Sequence, residues 1–374
     1  MSVKMVRLDE VCEILDARRV PITASDRKSG PYPYYGANGV QDHVADYLFD
    51  EELVLLAEDG GNFGSKEKPI AYRVSGKCWV NNHAHVLKPK ACIDVDYLCY
   101  SLMFYDVTGL VNGATRQKLT QADMRKMMIP LRSVHEQQKI NQQLGLVFST
   151  ISEYHSALDL LDQLVKSRFV EMFGDCKTNP KGWKTVALGE ISEVGSSKRV
   201  FVGELKDKGI PFYRGTEVGA LAEGKPIQPE LFISDDHYNE LIEATGKPEV
   251  GDLLMPSICP DGRIWVVDTE EPFYFKDGRV LWVHAIKHSF NPIFLLYTLK
   301  DRIMTDYGSI ASGTTFAELK IFALKGCRVF DVPLEEQNRF AEFISQVDKS
   351  KAEIQNALNE LEILKKSLMQ QYFG

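Results

Sequence analysis

The chain contains an internal duplication, and this repeat constrains its fold more than any other feature. Leu164–Gly174 and Leu364–Gly374 lie 200 positions apart and share Leu, Lys, Ser, Phe and Gly in register. A shift of 180 positions aligns Met5–Ile14 with Thr185–Val194. The ends of the two repeats therefore agree, whereas the middles have diverged and the second is longer by the difference of 20 residues. A repeated frame around divergent interiors predicts two domains that recognise different targets with one geometry.

Length and charge limit the function classes to which the chain can belong. With 374 residues it can form two or more domains that each bury a core. The net charge is −8, and neither repeat is basic: residues 1–133 carry 17 Lys and Arg against 17 Asp and Glu, and residues 175–333 carry 19 against 23. If the chain binds DNA, phosphate neutralisation must therefore come from local clusters of cations or from partner subunits.

Motifs that are missing from the sequence limit the location and the chemistry that can be expected of the protein. There is no run of eighteen apolar residues and no signal peptide, which predicts a cytoplasmic protein without a membrane partner. The seven cysteines include no Cys-x-x-Cys pair, which argues against a disulfide framework and against structural zinc. Walker A, Gly-x-Ser-x-Gly and His-Glu-x-x-His motifs are also missing, so the sequence gives no sign of catalysis and predicts no cofactor in this chain.

The two repeats share one order of predicted elements, which indicates an α+β fold. Each opens with a short apolar segment and continues with β-rich runs bounded by Gly, Asn, Asp and Pro, such as Glu52–Ala57 and Arg279–Ile286. A helix is predicted to close each middle, at Asp96–Thr108 and at Pro292–Tyr307. The predicted organisation is two small, irregular β-rich domains at residues 1–133 and 175–333, each followed by a long helix, at residues 134–174 and 334–374.

The two long helices are predicted to pack against each other as a coiled coil. Apolar residues recur every seven positions in both, which is typical of a coiled coil; the alternative is a surface helix packed on its own domain. Pro130 and Pro333 precede the helices, and Gly174 and Gly374 follow them. About forty residues with a rise of 1.5 Å each give a rod of roughly 60 Å. The predicted core positions are Ile140, Val147, Ile151, Tyr154, Leu158, Leu161, Phe340, Val347, Ile354, Leu358, Leu361 and Leu368.

Polar and basic side chains beside glycine turns are the candidate DNA contacts. Tyr35–Asn38 and Tyr213–Thr216 occupy equivalent places, and Asn and Arg side chains can pair with adenine and guanine edges. Gly113–Thr115 and Gly313–Thr315 match between the repeats and suit close approach to a phosphate. Each segment also has an ordinary explanation, as a loop before a helix, a packed aromatic or a solvated charge. The candidates are Tyr35, Asn38, Asn62, Lys66, Asn82, His83, Arg116, Lys118, Arg214, Thr216, Arg263, Lys276, Arg279, Thr314 and Thr315.

His83 and His85 are the sequence's nearest approach to a metal site. Two His residues two positions apart, with Asp59 upstream and Cys78 close by, could ligate an ion. The equivalent stretch of the second repeat, Tyr274–Arg279, offers no counterpart, although a duplicated protein would normally keep a required metal in both copies. We therefore predict no metal here and interpret the segment as a polar turn that holds a loop or contacts DNA.

Taken with the repeat, these features resemble the specificity (S) subunit of type I restriction-modification systems, and the resemblance covers the whole chain. Each variable domain is followed by a long helix that is entered through a proline and a Glu-Gln pair, and this signature is specific when it occurs twice between divergent domains. The residues that carry it are Ile129-Pro130 with Glu136-Gln137, and Val332-Pro333 with Glu336-Gln337. The first middle, with Tyr35–Asn38, Glu58–Gly61 and Trp79–Val86, also resembles one class of target-recognition domain.

The resemblance implies a specific function for each part of the chain. Each domain would read one half of a bipartite, asymmetric DNA sequence from the major groove, and the helices would pack antiparallel and set the gap between the half-sites. Two methyltransferase subunits, which hold S-adenosylmethionine and methylate adenine, would dock on the helices and domains, and restriction subunits would join them. The chain itself would be non-catalytic, and its partners would supply much of the phosphate contact. The internal pseudo-symmetry fits two copies of one partner.

Two other functions stay open at this point. The chain could be a protein-interaction scaffold whose coiled coil and β domains bind no DNA, and this protein would show no DNA affinity even with partners supplied. It could also be a metal-dependent enzyme at Asp59, His83 and His85, which would hold stoichiometric metal that His83→Ala removes. The bases that are read and the length of the gap do not follow from the sequence.

Overall fold

The computed structural model describes residues 3–113, 117–313 and 317–374, which form two compact units. Unit 1 comprises Met1–Ser156 and Ile354–Gly374, and unit 2 comprises Ala157–Glu353. Each unit therefore contains one β-rich middle together with a part of both long helices. The predicted α+β class, with two β-rich domains and two long helices, is confirmed.

The two middles contain the same kinds of element in nearly the same order. In unit 1 these are β1 Lys4–Arg7, α1 Leu8–Val11, β2 Cys12–Ile14, β3 Ser29–Gly36, β4 Gly39–Val44, β5 Phe49–Asp50, β6 Leu53–Ala57, β7 Ala71–Val74, β8 Lys77–Val80, β9 Ala84–Pro89, α2 Val95–Met103, β10 Val111–Asn112, β11 Lys118–Leu119, α3 Gln121–Met124 and β12 Met128–Leu131. The first long helix, α4, follows at Val134–Phe173.

The second middle adds helices to the same plan, which accounts for its greater length. Its elements are β13 Lys184–Ala187, α5 Leu188–Ile191, β14 Glu193–Gly195, β15 Ile210–Tyr213, α6 Gly215–Ala222, β16 Phe232–Ile233, α7 Asp235–Thr245, β17 Leu253–Pro256, β18 Trp265–Val266, β19 Tyr274–Phe275, β20 Val280–His284, α8 Pro292–Ile310, β21 Ala311–Ser312, β22 Glu318–Leu319, α9 Ile321–Gly326 and β23 Arg328–Asp331. The second long helix, α10, is Leu334–Phe373.

The sheets of the two units have matching topologies. An antiparallel sheet has the strand order β2-β9-β6-β7 in unit 1 and β14-β20-β17-β18 in unit 2. A second sheet contains the parallel pair β3/β8 in unit 1 and β15/β19 in unit 2. The first strand of each repeat pairs antiparallel with the strand that precedes the long helix, β1 with β12 and β13 with β23. Because its side chains are buried on both faces, β6 is a continuous apolar run.

The two long helices run antiparallel, as the contacts inside each unit show. In unit 1 the Tyr372 hydroxyl donates to Gln143, and Lys365 lies 5.6 Å from the ring centroid of Phe148. In unit 2 Lys351 contacts Asp162. Of the predicted core positions, the buried ones are Ile140, Val147, Ile151, Phe340, Val347 and Leu358, and the partly buried ones are Tyr154, Leu158, Leu161, Ile354, Leu361 and Leu368.

In each unit, the phenylalanine at the end of a long helix packs against a helix of the β-rich middle. Phe373 packs edge-on against Tyr97 of α2 in unit 1, with ring centroids 5.2 Å apart. Phe173 packs against Phe294 of α8 in unit 2 at 4.8 Å, and also contacts Phe340 at 5.6 Å. The Phe-Gly ending that the two repeats share is therefore a core contact, which the heptad pattern alone did not predict.

The glutamine of the Glu-Gln pair fastens each long helix to its β-rich middle. Gln137 is fully buried; its amide nitrogen donates to the carbonyls of Cys92 and Arg132 at 3.0 and 2.9 Å, and its oxygen accepts from Asp94 N at 2.8 Å. Gln337 makes the same three bonds, to Ser289, Val332 and Asn291, at 3.1, 2.8 and 2.8 Å. A buried amide with all three partners fastens the start of the long helix to the segment directly before α2 in unit 1 and before α8 in unit 2.

Some predicted elements differ from the observed ones. The helix predicted at Asp96–Thr108 ends at Met103, whose carbonyl accepts from Ile70 N at 2.9 Å instead of from a further helical turn. Asp106 then accepts a hydrogen bond from Thr108 N at 2.9 Å, which favours a turn. The helix predicted at Pro292–Tyr307 instead continues to Ile310. Throughout the part of the chain that the structure describes, every helix is too short or too polar to cross a bilayer.

Candidate nucleic-acid interface

In unit 1, backbone hydrogen bonds bring four loops to one end of the sheets. Glu58, directly after β6, donates its N–H to His83 O at 2.9 Å, and Leu119 of β11 donates to Glu58 O at 2.7 Å. The segment between β8 and β9 is held in turn, because Asn81 N donates to Tyr35 O at 3.0 Å. Asn38, in the turn after β3, donates its side-chain amide to Gly60 O at 3.0 Å. Sequence segments far apart in the chain therefore meet in one loop cluster.

The predicted unit 1 residues occupy different positions in this cluster. Asn38, Lys66 and Asn82 are exposed, whereas Asn62 is partly buried and its amide points to Pro69 O at 3.4 Å. Tyr35 is partly buried against Tyr72, with ring centroids 5.8 Å apart, and burial raises the pKa of its hydroxyl. Tyr35 thus supports the turn, and the exposed amides and lysine form its outer surface.

His83 and His85 belong to different sets of contacts, so the structure does not assemble the site considered for a metal. His83 Nδ1 lies 2.6 Å from Asp59, and His83 N donates to Asn81 Oδ1 at 2.8 Å. His85 is fully buried, with Nδ1 2.7 Å from Asp16 and Nε2 2.9 Å from the carbonyl oxygen of Leu119. Each histidine therefore links a loop to a neighbouring segment of unit 1.

Asp16, Glu58 and His85 form a group whose ligand-type atoms lie within 4.8 Å of one another, but the group does not fit a metal. Both ring nitrogens of His85 already have partners, and Arg19 lies 2.6 Å from Glu58. Lys118, a predicted DNA contact, lies 2.9 Å from the other Glu58 oxygen. Burial opposes ionisation, yet the hydrogen bonds from Arg19 and Lys118 hold the pKa of Glu58 below its ordinary value. Cations already occupy the places that an ion would take.

Unit 2 holds its loops with the same backbone bonds. Ser257 follows β17, donates to Arg279 O at 2.8 Å and accepts from Leu319 N at 2.7 Å. Lys276 N donates to Tyr213 O at 2.9 Å, as Asn81 N does to Tyr35 O. These bonds show which positions correspond: Glu58 with Ser257, His83 with Arg279, Asn81 with Lys276, and Tyr35 with Tyr213. Lys118 and Glu318 also correspond, because they occupy the same position in the equivalent strand pairs β10/β11 and β21/β22.

The three predicted arginines of unit 2 are each paired with carboxylates. Exposed Arg279 contacts Glu318, whose pKa is lowered by a hydrogen bond from Lys320 and by the charge of Arg279. Arg263 lies 2.9 Å from Asp261 and 3.8 Å from Glu223. These pairs leave the guanidinium groups at the surface but neutralise part of their charge.

Arg214 is held more firmly than the other two arginines because its carboxylate partner is buried. It lies 2.5 Å from Glu217 of α6 and 3.1 Å from Glu230. Burial disfavours the charge on Glu217, but hydrogen bonds from Arg214 and Thr216 prevail and lower the pKa of Glu217 to about 2. The exposed Thr216 donates to Glu217 at 2.9 Å. Arg214 therefore supports α6 as well as lying at the surface.

The equivalent positions carry different chemistry in the two units. Unit 1 has Glu58, His83 and Lys118 where unit 2 has Ser257, Arg279 and Glu318. At the equivalent positions 118 and 318, unit 1 therefore has a cation and unit 2 an anion. Lys118 pairs with Glu58 in unit 1, whereas Glu318 pairs with Arg279 in unit 2. Three predicted residues, Arg116, Thr314 and Thr315, lie outside the described residues. Two units with one backbone frame and exchanged side chains can bind two different chemical surfaces.

The sequence prediction missed Gln137 and Gln337 as the groups that position each interface on its helix. Their signal was present, because the Glu-Gln pair occurs at the start of both long helices. Their role was hidden because the bonded carbonyls lie up to 48 positions away in the chain.

Comparison with known proteins identifies the class to which this frame belongs. The family model of the type I restriction modification DNA specificity domain matches residues 2–155 and 180–362. A chain of Haemophilus influenzae that is described as a type I restriction enzyme specificity subunit is 30% identical over 346 residues, covering 91% of this chain and 86% of that one. The MjaIX specificity subunit of Methanocaldococcus jannaschii is 23% identical, covering 85% and 75%. The chain belongs to the type I restriction-modification specificity subunit family.

Solved structures share the fold over the whole chain. The S subunit of a type I restriction-modification system from M. genitalium has a TM-score of 0.64 at 14% identity, covering 100% of this chain and 96% of that chain. A chain from a study of complex assembly and conformational transition of the type I R-M system has a TM-score of 0.56 at 17% identity, covering 100% and 99%. At these identities the likeness concerns the fold.

Proposed function

We propose that this protein is the DNA sequence-specificity subunit of a type I restriction-modification complex and reads a bipartite, asymmetric target with one domain per half-site. The observation that carries the proposal is the exchange of side chains on one backbone frame, Glu58, His83 and Lys118 against Ser257, Arg279 and Glu318. Hydrogen-bonding groups of different kinds at equivalent places would select different bases. Membership of the specificity subunit family supports the same function.

The proposed DNA contacts divide into base-reading and phosphate-binding groups. Asn38, Asn82 and His83 in unit 1, and Thr216 and Arg279 in unit 2, carry groups that can pair with base edges. Lys66, Lys118, Arg263 and Lys276 would bind phosphates. Tyr35, Asn62 and Arg214 complete the interface mainly by holding its turns, and Arg116, Thr314 and Thr315 are proposed from sequence alone.

The chain is proposed to act through partners. Residues 1–133 and 175–333 would be the target-recognition domains, and residues 134–174 and 334–374 the spacer helices that set the gap between the half-sites. Two methyltransferase subunits with S-adenosylmethionine would dock on the duplicated frame, and restriction subunits would join them in the cytoplasm. The chain itself would catalyse no reaction. Because it carries a net charge of −8, much of the phosphate neutralisation would come from those partners.

Mapping of methylated adenines tests this function directly. DNA is sequenced from cells that make the chain with its methyltransferase, and from cells that make the methyltransferase alone. We expect a new split motif, and exchange of residues 175–333 for another recognition domain should change one half-site and leave the other intact. No new motif, from a methyltransferase that is active with another specificity subunit, would refute the proposal and favour a scaffold without DNA recognition.

A further inference from the structure

The alignment of the repeats at a shift of 180 continues beyond Ile14 into a surface loop of each unit. Arg18-Arg-Val-Pro-Ile22 in unit 1 corresponds to Lys198-Arg-Val-Phe-Val202 in unit 2. Both segments place two cations before three apolar residues. We call residues 18–22 and 198–202 the basic–apolar loops of units 1 and 2.

In unit 2 this loop is fastened to the strand that leads into the candidate interface. Ser197 donates to Phe275 O at 2.5 Å, and Lys198 N donates to the Tyr274 hydroxyl at 2.9 Å. Arg199 Nε lies 3.0 Å from Asp277, two positions before Arg279. The basic–apolar loop therefore lies beside the turn that carries Lys276 and Arg279.

In unit 1 the corresponding loop is fastened at the matching place. Trp79 donates its ring N–H to Val20 O at 2.6 Å. Trp79 pairs in register with Tyr34 of β3, as Tyr274 pairs with Phe212 of β15, so Trp79 and Tyr274 are equivalent. Both repeats thus keep a basic–apolar loop at the same side of the candidate interface.

Two of the three apolar side chains of the unit 2 loop project into solvent, whereas Val200 is partly buried. Phe201 is 63% exposed and Val202 is 83% exposed. Four exposed cations, Lys198, Arg199, Lys206 and Lys208, lie on either side of the pair in the sequence, and Glu204 accepts from Phe201 N at 2.7 Å. A single exposed apolar residue is ordinary, but an adjacent pair in a loop whose four cations outnumber the carboxylates Glu204 and Asp207 has the character of an apolar wedge beside phosphate-binding groups. Val20 is the exposed apolar residue of the unit 1 loop, at 44%.

We propose that Phe201 and Val202 insert between neighbouring base pairs of the duplex bound by unit 2. Apolar wedges of this kind partly unstack a base step and let the DNA bend over more protein surface. The surrounding lysines and Arg199 would hold the flanking phosphates, and the anionic duplex is the partner that their charge complements. This inference rests on the proposed function. In unit 1, Val20 and Pro21 would make a shallower contact, because residues 18–22 themselves include no aromatic side chain.

The test uses the complex of the full chain with its methyltransferase subunits. The probe is a duplex with the mapped target in which 2-aminopurine replaces adenine, one position at a time, in and beside the half-site of unit 2. The methylated adenines are left unreplaced, because the methyltransferase would itself take them out of the base stack. We expect binding to raise the fluorescence at one base step. Phe201→Ala should remove that rise and weaken binding about tenfold, and Phe201→Leu should retain part of both.

Val250→Ala is the matched control for Val202→Ala. Val250 is 59% exposed in the same unit, but it precedes β17, whereas Ser257 of the interface follows that strand. We expect Val202→Ala to lower the fluorescence rise and Val250→Ala to leave it unchanged.

Three results would overturn the inference. In the first, Phe201→Ala leaves affinity and fluorescence unchanged. In the second, it releases a methyltransferase subunit, which would make the loop a protein-docking surface. In the third, the unaltered complex methylates a bipartite motif but raises no fluorescence at any position. Absence of a bipartite motif would instead refute the proposed function, so the two failures are distinguishable.

Discussion

Replacement of Gln137 by methionine should destabilise unit 1 and leave unit 2 almost unchanged. Methionine is close to glutamine in length, so the change removes the amide group without opening a large cavity. It leaves the carbonyls of Cys92 and Arg132 and the N–H of Asp94 without their buried partner. Two of the three groups, Cys92 O and Asp94 N, belong to the segment directly before α2, so the variant also frees the start of α4 from the middle of unit 1.

The size of the effect follows from these three groups. A buried polar group that loses its partner costs about 1–3 kcal/mol, and carbonyls lie toward the lower end because they can find other donors. We therefore expect a loss of about 3–5 kcal/mol in the free energy of unfolding of unit 1. Since domains are stable by only about 5–15 kcal/mol, this loss would leave unit 1 marginally folded.

Gln137→Glu gives a second signature, because a carboxylate keeps the acceptor but loses the donors. Burial and the two facing carbonyls would raise the pKa of the introduced carboxyl group. The folded state would then bind a proton that the unfolded state releases, so the variant is least destabilised below about pH 4. Its stability falls as the pH rises above that value, whereas Gln137→Met has no such dependence.

Hydrogen exchange with mass spectrometry during urea unfolding resolves the two units. Peptides that cover β6 and β9 should lose protection in Gln137→Met, and peptides that cover β17 and β20 should keep it. Gln337→Met should give the opposite pattern. Gln138→Met is the control, because Gln138 is exposed on the next position of the same helix. A loss below about 1 kcal/mol for Gln137→Met, or an equal loss in both units, would refute the reasoning.

Three further predictions test other parts of the molecule. Phe373→Ala should destabilise unit 1 and Phe173→Ala unit 2, each by about 3–5 kcal/mol, in the same exchange experiment; equal effects on both units would contradict this. Because the pKa of Glu217 is lowered to about 2, its ion pair stabilises unit 2 above about pH 5 and is lost as the pH falls toward 2. Acid unfolding of unit 2 should therefore become less steep in Glu217→Gln. One added heptad in each long helix, after residue 156 and before residue 354, adds about 10 Å and should lengthen the methylated motif's gap by about three base pairs without altering its half-sites.

The features that could be predicted from the sequence are those with a local period or a repeat. Heptads mark α4 and α10 because every seventh residue of a coiled coil meets its partner, whatever the rest of the fold does. The apolar run of β6 is likewise local. The Phe-Gly ending was visible as a repeat, but its packing on Tyr97 and Phe294 depends on the antiparallel course of helices 200 positions apart.

The candidate interface was less predictable because its order comes from bonds between distant backbone atoms. His83 and Arg279 correspond because their carbonyls accept the equivalent backbone bonds, from Glu58 N and from Ser257 N. No sequence motif marks this correspondence. The ion pair of Arg214 could not be predicted from the sequence either. Its side chain predicted a contact with guanine, whereas the buried Glu217 gives it a second role in supporting α6. The basic–apolar loops were accessible to sequence comparison, since the shift of 180 extends through them.

The way the loops are held explains how one frame can carry two specificities. The loops at Glu58 and Ser257 are positioned by bonds that run from backbone to backbone, at 2.9 and 2.7 Å around Glu58 and at 2.8 and 2.7 Å around Ser257. Such bonds do not depend on the side chain, so glutamate and serine can occupy the same place without moving the loop. Gln137 and Gln337 are the opposite case, since their side chains are the attachment itself. Side chains are therefore free to change where the bases would be read, and are restricted where the domain meets its helix. New targets can then arise by exchange of the middle of a repeat, while the helices and their two glutamines stay as they are.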